Sequence, residues 1–505
     1  MLLIHPPVSK PCEPPPGIAR LFSFLTRRGI KCHVLDANLE GLLAILAGSP
    51  SSFDTWTTRA FRSLPGHLSA LRNGSAYKKM SRYTRAVMDL NRVLTISARD
   101  WGVRLSLANY QHKELSPAKS ADLIRAWEHP EENLFYPFFK GRLLGLMESE
   151  QPSLAGFSLN YLSQALCTFA MMGFLRKEWP GVKLALGGGL VTSWMRSPGW
   201  LDPFQGLVDH LVAGPGEYPL LSLAGGERVA EEGHCPPDYR PFPTENHLAP
   251  GLILPYSSST GCYWSKCSFC PERAEGNPYS PIPADLALGH LHSLCQEMEP
   301  VLVHLLDNAI RPEMMQAISE NPFGVPWYGF VRVTHHLMDI DFCLSLKKSG
   351  CRMLKIGLES GDQELLDKMQ KGIDLKMASL ALQTLKKAGI ATYVYLLFGT
   401  PEETLAGARK TLDFMARHWQ EISFLNLAVF NLPRHSPDSR KFETRQFYEG
   451  DLSLYTGFSH PKGWDRNLVR QFLDKEFKRH PAVASILRRD PPVFTSNHAP
   501  FFVRE

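Results

Sequence analysis

Residues 257–272 read SSSTGCYWSKCSFCPE and place Cys262, Cys267 and Cys270 within nine residues, spaced C-x4-C-x2-C. The whole chain of 505 residues holds ten cysteines, so three on one short loop calls for a reason. Three thiolates this close suit a soft metal or an iron–sulfur cluster. A structural zinc site asks for a fourth His or Cys on a second knuckle. The next cysteine, Cys295, falls inside a stretch with helical periodicity instead. Three protein ligands leave one iron of a four-iron cluster open, and an open position is where chemistry is done.

Outward from the loop, strand and helix patterns alternate. Strand candidates are 252–257, 301–306, 327–333, 353–358, 391–397 and 424–430. Helix candidates are 284–297, 312–320, 339–348, 363–369, 376–388 and 402–417. Six such units predict a partial (β/α)6 barrel, with functional residues at the C-terminal ends of strands. Three features then converge. Phe269 stands directly before the third cysteine, the fourth strand ends IGLESGDQELLDKMQKG (356–372), and the fifth ends FGTPEET (398–404). On these the segment resembles the radical S-adenosylmethionine (SAM) superfamily, most of which uses C-x3-C-x2-C. The longer first gap is shared by a minority of subfamilies.

The resemblance implies a 4Fe-4S cluster on Cys262, Cys267 and Cys270, with SAM bound beside it. It implies that Glu359 and Ser360 contact the ribose and methionine parts of SAM. Many members carry a G-G-E-like motif after the second strand; here Asp307-Asn308 stands there. Asp307 is the candidate acceptor for the SAM ammonium, since a carboxylate gives a charge-assisted bond. Arg332 is a candidate fork for the SAM carboxylate or for substrate. Thr400, Pro401 and Glu403 read as a capping box opening the helix at 402–417. No catalytic residue is assigned.

Upstream, strands at 2–4, 31–36, 153–159, 182–186 and 208–213 alternate with helices at 17–28 and 163–177. That order predicts a doubly wound parallel sheet binding ligands beyond the carboxyl ends of its strands. Three strings fall at those ends: Asp36-Ala37-Asn38-Leu39-Glu40-Gly41, Ser158-Leu159-Asn160-Tyr161, and Gly187-Gly188-Gly189. Together they resemble the cobalamin-binding fold, whose signature is D-x-H-x-x-G, then S-x-L, then G-G. The resemblance makes Asp36, Asn38, Gly41, Ser158, Gly187, Gly188 and Gly189 cofactor-binding residues. Asn38 replaces the His that would ligate cobalt, so cobalamin would sit without a protein imidazole below the metal. The glycines would let the nucleotide tail pass close to the backbone, because no Cβ intrudes.

The length predicts two to four domains. The boundaries read are 1–245 for the cobalamin-binding-like domain, 250–440 for the barrel and 441–505 for a C-terminal capping region. A Pro-rich linker covers about 226–250. A helical insertion covers about 48–150, with helices at 83–93 and 118–127 and a weaker one at 64–71, where Pro65-Gly66 intervenes. It is rich in aromatic and basic residues, and reads either as a functional cover or as a packed insertion with a solvated basic face. In the tail, 468–477 reads as an amphipathic helix. His498 and Tyr455 are candidates for a proton donor or radical relay, or for structural roles in closing the barrel against water.

The net charge of +5 is mild, so no nucleic-acid partner is expected. No window approaches a membrane span and the start lacks a signal-peptide pattern. A reducing cytoplasm is expected, as an oxygen-labile cluster requires. The resemblances jointly imply a cobalamin-dependent radical SAM enzyme. A 5′-deoxyadenosyl radical would abstract hydrogen from an unactivated carbon and methylcobalamin would deliver a methyl group. A reducing partner such as flavodoxin or ferredoxin is implied; the substrate (small molecule, lipid or peptide) is left open. Two alternatives stay open: a non-methylating redox rearrangement or cyclisation with the same cofactors, and a non-catalytic iron–sulfur or cobalamin-binding protein.

Overall fold

In a computed structural model, residues 1–48, 54–197, 199–227, 234–434, 436–446, 449–492 and 498–503 are described. The chain divides into two units. The first takes Met1–Ile253 with the tail segment Tyr448–Leu454; the second takes Leu254–Phe447 and most of the remaining tail.

The first unit is built on five strands: β1 (Leu2–His5), β2 (His33–Asp36), β3 (Leu154–Ser158), β4 (Lys183–Gly187) and β5 (His210–Leu211). Their order is β2-β1-β3-β4-β5, parallel throughout. This is the flavodoxin-like order, whose switch point lies between β1 and β3. The strands are apolar on both faces because helices cover both sides. Leu2, Leu3 and Ile4 are buried, as are Ala155 and Phe157. The fifth strand is shorter than the 208–213 predicted. Asp209 turns away from the ladder to accept from Leu184 N–H (2.7 Å) and from Arg176.

The helices of this unit that matter below are α1 (Pro16–Thr26), α2 (Ala37–Leu46), α3 (Thr55–Arg72), α4 (Met80–Ser97), α5 (Ser120–Glu128), α6 (Tyr136–Glu150), α7 (Leu162–Glu178) and α8 (Gly189–Met195). The weak 64–71 candidate is the second half of an 18-residue helix. Asp54 caps α3 through Thr57 N–H (2.9 Å), and Pro65 sits inside on an exposed position. Packing on α4 outweighs the lost hydrogen bond there. Sequence reading missed α6 and a hairpin, Val103–Ser106 with Asn109–His112. Part of the predicted linker, 228–233, lies outside the described residues.

The second unit is a curved parallel sheet of β6 (Ile253–Tyr256), β7 (Leu302–Leu305), β8 (Trp327–Val331), β9 (Cys351–Glu359), β10 (Ala391–Phe398) and β11 (Phe424–Val429). The strands neighbour one another in chain order, as a partial (β/α)6 barrel requires. The last crossover helix starts later than predicted. It spans Leu405–Arg417, capped by Thr404, whose Oγ1 accepts from Gly407 N–H at 3.1 Å. The capping box on Thr400 and Glu403 is therefore not formed. The predicted 468–477 helix is Arg466–Phe472 followed by a wider turn over Leu473–Phe477.

Candidate functional site

In the first unit every predicted residue lies at the carboxyl ends of β2, β3 and β4. Asp36 closes β2 and caps α2, accepting from Leu39 N–H at 3.0 Å. It is buried with two imidazoles nearby: His247 Nε2 is 3.6 Å from its Oδ2, and His5 acts on it electrostatically. Burial alone would raise the Asp36 carboxyl. Contact with His247 and the charges of His5 and His247 outweigh that and hold it below the ordinary carboxylate range. Asn38 is buried on α2, its Oδ1 accepting from Ser9 N–H at 2.7 Å. Gly41 lets α6 approach, since a Cβ there would lie 3.1 Å from the Phe135 ring.

Asn160 ties β3 to β4. Its Nδ2 donates to Ser158 Oγ (3.1 Å) and Ser158 O (3.2 Å), and its Oδ1 accepts from Gly189 N–H (2.9 Å). Gly188 has φ +109°, and a Cβ there would meet Leu159 O at 2.4 Å. The backbones of the two strand ends thus touch where a side chain would keep them apart. Asn160, His5 and His247 were not singled out. Asn160 stood inside a quoted string, whereas nothing in the sequence ties His247 to Asp36.

In the second unit the cysteine loop follows β6. Cys267 is 8% exposed; Cys262 and Cys270 are half-buried. The turn after β9 clasps the loop. Ser268 N–H donates to Met369 O (3.0 Å), Trp264 Nε1 to Gln370 O (2.9 Å), and Arg273 to Gln370 Oε1 (3.3 Å). Gln370 and Gly372 are both left-handed, at φ +54° and +66°, and a Cβ on Gly372 would lie 2.1 Å from the Trp264 ring.

Arg332, Lys371 and Glu359 gather beside this loop. Lys371 Nζ is 2.8 Å from Glu359 Oε1, Arg332 donates to Lys371 O, and the Arg332 guanidinium stacks on Trp264 at 4.2 Å. Burial pushes the Cys267 thiol up, against which Lys371 and Arg332 pull it down. Burial likewise raises Cys270, against backbone N–H groups of Arg273 and Glu272. Ser360 is buried and faces Thr411 Oγ1 (3.1 Å). Asp307 is turned onto the end of β6. It accepts from Ser258 N–H (3.1 Å) and from the hydroxyls of Ser258 (2.7 Å) and Ser259 (2.5 Å).

Among the described residues no group of three or more His, Cys, Asp or Glu is drawn together as tightly as a bound metal ion would hold it. The three thiols nevertheless lie within electrostatic reach of one another. The donor set suits an iron–sulfur cluster: three soft sulfurs, with two cations alongside to favour thiolate and a negatively charged cluster.

Residues 256–415 match the family model described as the radical SAM superfamily. This segment is a radical SAM domain. The chain is 24% identical over 267 residues to an uncharacterized methyltransferase of Pyrococcus horikoshii, covering 48% of this chain and 55% of that one. It is 25% identical over 252 residues to the bacteriochlorophyllide d C-12(1)-methyltransferase of Chlorobaculum tepidum, covering 48% and 51%. The chain therefore spans about half the length of these curated relatives. Among solved structures it shares a fold with the radical SAM methyltransferase TsrM from Kitasatospora setae. The form with cobalamin and a [4Fe-4S] cluster bound gives a TM-score of 0.51 at 16% identity, over 87% of this chain and 77% of that one. The form with tryptophan and a SAM analogue gives 0.54 at 15% identity, over 97% and 89%.

Two further residues of the second unit bear on the sequence reading. His498 packs on Tyr393 (4.4 Å) and Phe424 (4.5 Å), near the starts of β10 and β11. That is the end of the strands opposite the sulfur loop, a position that fits the structural role in closing the barrel. Lys371 was not singled out, although the quoted MQKG string contains it.

Glu403, read as a helix cap, is buried instead. Its Oε2 accepts from Gly399 N–H and from Trp464 Nε1 (3.0 Å), and its Oε1 has no partner. Burial pushes its carboxyl up to about 7. The folded state then binds a proton more tightly than the unfolded one, so stability is full below about pH 4.5 and is lost as pH rises through 7. The shift corresponds to about 3 kcal/mol at most. Glu403→Gln keeps the acceptor and removes the charge. Its melting temperature is expected to stay level between about pH 5 and 8 where the parent's falls. An unchanged slope would assign the pH dependence elsewhere.

Proposed function

We propose that this protein is a cobalamin-dependent radical SAM methyltransferase acting on an unactivated carbon. The observation that carries the reading is the three-cysteine loop at the mouth of β6, clasped by the turn whose Lys371 pairs with Glu359. The 2-1-3-4-5 sheet with its Asp36, Asn160 and Gly188 strand ends supports the cobalamin half. Cys262, Cys267 and Cys270 would hold a [4Fe-4S] cluster, and the β2, β3 and β4 ends would hold cobalamin. Bound there, the two cofactors and SAM would supply the electron, the hydrogen-abstracting radical and the methyl group.

The chain's own part is positioning. Arg332 and Lys371 set a positive field on the sulfur loop and suit the carboxylate of SAM; Glu359 suits a ribose hydroxyl or ammonium. Asp307 orients Ser258 and Ser259 at the loop's root, which makes it a positioning residue in this reading. Asn38, tied to Ser9, would help hold cobalamin and supplies no imidazole donor from its position.

The reductant fitting this chemistry is a flavodoxin or ferredoxin, and a reducing cytoplasm is the compartment. No helix among the described residues is long and apolar enough to cross a membrane. The test is anaerobic reconstitution with iron, sulfide and cobalamin, read by optical and electron paramagnetic resonance spectra, then by 5′-deoxyadenosine release from SAM. Uptake of iron and sulfide together with corrin is expected. A substrate gaining one methylene unit in mass supports methylation; no gain moves the reaction to rearrangement or ring formation. No uptake of iron at all sinks the enzymatic reading.

A further inference from the structure

The α3–α4 pair carries a charge out of proportion to its size. Residues 54–101 hold nine Lys or Arg against three Asp and no Glu, a surplus of six where the whole chain has a surplus of five. Two of the three carboxylates are already engaged. Asp89 is buried, accepting from Trp56 Nε1 (2.9 Å) and facing His67 Nε2 (2.9 Å), and Asp54 pairs with Arg92. Arg59, Arg62, Lys78, Lys79, Arg82 and Arg85 are exposed, and no carboxylate among the described residues pairs with any of them. Between the two helices a groove of about 540 Å³ is walled by Trp56, Met80 and Met88 alongside Arg59 and Arg85. Trp56 is 40% exposed and Met88 49%, both large apolar side chains left at the surface among guanidinium groups.

We infer that this helical pair is a docking face for an anionic lipid bilayer surface. Guanidinium and ammonium groups meet headgroup phosphates, while an indole and a thioether at the same level enter the boundary with the acyl chains. Charge alone would suit any polyanion; the apolar pair selects the bilayer. One face of the Trp56 ring is closed to a stacking nucleobase. Its N–H is committed to Asp89, and the Arg92 guanidinium covers it at 4.7 Å. Arg59 and Arg85 line the same groove as Trp56, Met80 and Met88, so charge and apolar surface are presented together. The inference is independent of the sulfur loop and adds a place of action to the proposed activity.

The test is co-sedimentation of the full-length protein with vesicles of phosphatidylcholine alone, or with about a third phosphatidylglycerol. Sedimentation with the anionic vesicles only, reversed by about 0.5 M salt, is expected. The triple variant Arg59→Glu, Arg82→Glu, Arg85→Glu changes exposed side chains only and is expected to lower partitioning by roughly a hundredfold or more. Met88→Ser, which removes the apolar contact and no polar one, is expected to lower it severalfold with the salt dependence unchanged. Absence of binding to anionic vesicles, equal binding by the triple variant, or equal binding to neutral vesicles would overturn the inference. So would tighter binding to polyuridylate than to the vesicles, which would give the face to nucleic acid.

Discussion

Cys262→Ala, Cys267→Ala and Cys270→Ala are each expected to reduce iron and sulfide uptake to background and to abolish 5′-deoxyadenosine formation. Two remaining sulfurs cannot retain a cluster that three barely satisfy, and alanine offers no donor. The loop should survive the change. Ser268 N–H to Met369 O and Trp264 Nε1 to Gln370 O hold it from outside the thiols. Cobalamin uptake should be unaffected, since Asp36, Asn160 and Gly188 belong to the other unit. Cobalamin absorbance retained beside lost iron absorbance separates a ligand defect from a folding defect. Turnover retained in one variant would remove that cysteine from the cluster.

Gly188→Ala is expected to cost about 3 kcal/mol or more of stability in the first unit, and with it cobalamin binding. At φ +109° a Cβ is strained whatever surrounds it, and here it would also meet Leu159 O at 2.4 Å. That carbonyl is not free to move, because Leu159 N–H donates to Gly187 O (2.8 Å) and its own oxygen accepts from Leu190 N–H (3.2 Å). Gly189→Ala is the control. Its nearest neighbour would be Asn160 Oδ1 at 3.7 Å, an ordinary contact, and little change is expected. Thermal unfolding and a cobalamin titration of both variants read the difference. Equal loss in the two would mean that the triple glycine matters as a turn, not as a close approach.

The architecture was legible because both sheets announce themselves by strand–helix alternation, which period and turn chemistry encode locally. The cysteine loop, Glu359 and Ser360 could be singled out as candidates for the same reason, since each sits in a contiguous string. Partnerships between distant residues were not. Lys371 with Glu359, Asp307 with Ser258 and Ser259, and Asp36 with His247 arise only when separate strands are brought together. Glu403 shows a local rule losing to packing. T-P-E-E satisfies a capping pattern, but Thr404 is better placed to cap, and burial against Trp464 takes the carboxylate inward. Pro65 is the converse, a breaker tolerated because α4 supports the helix on its other side.

The turn at 369–372 has a consequence for how the loop can be altered. It grips the sulfur loop through Trp264, Ser268 and Arg273, none of which is a cysteine. The loop is therefore held at three points that do not pass through its sulfurs. Replacing any one cysteine leaves this grip in place, and the loop's shape and its donor set can be altered independently.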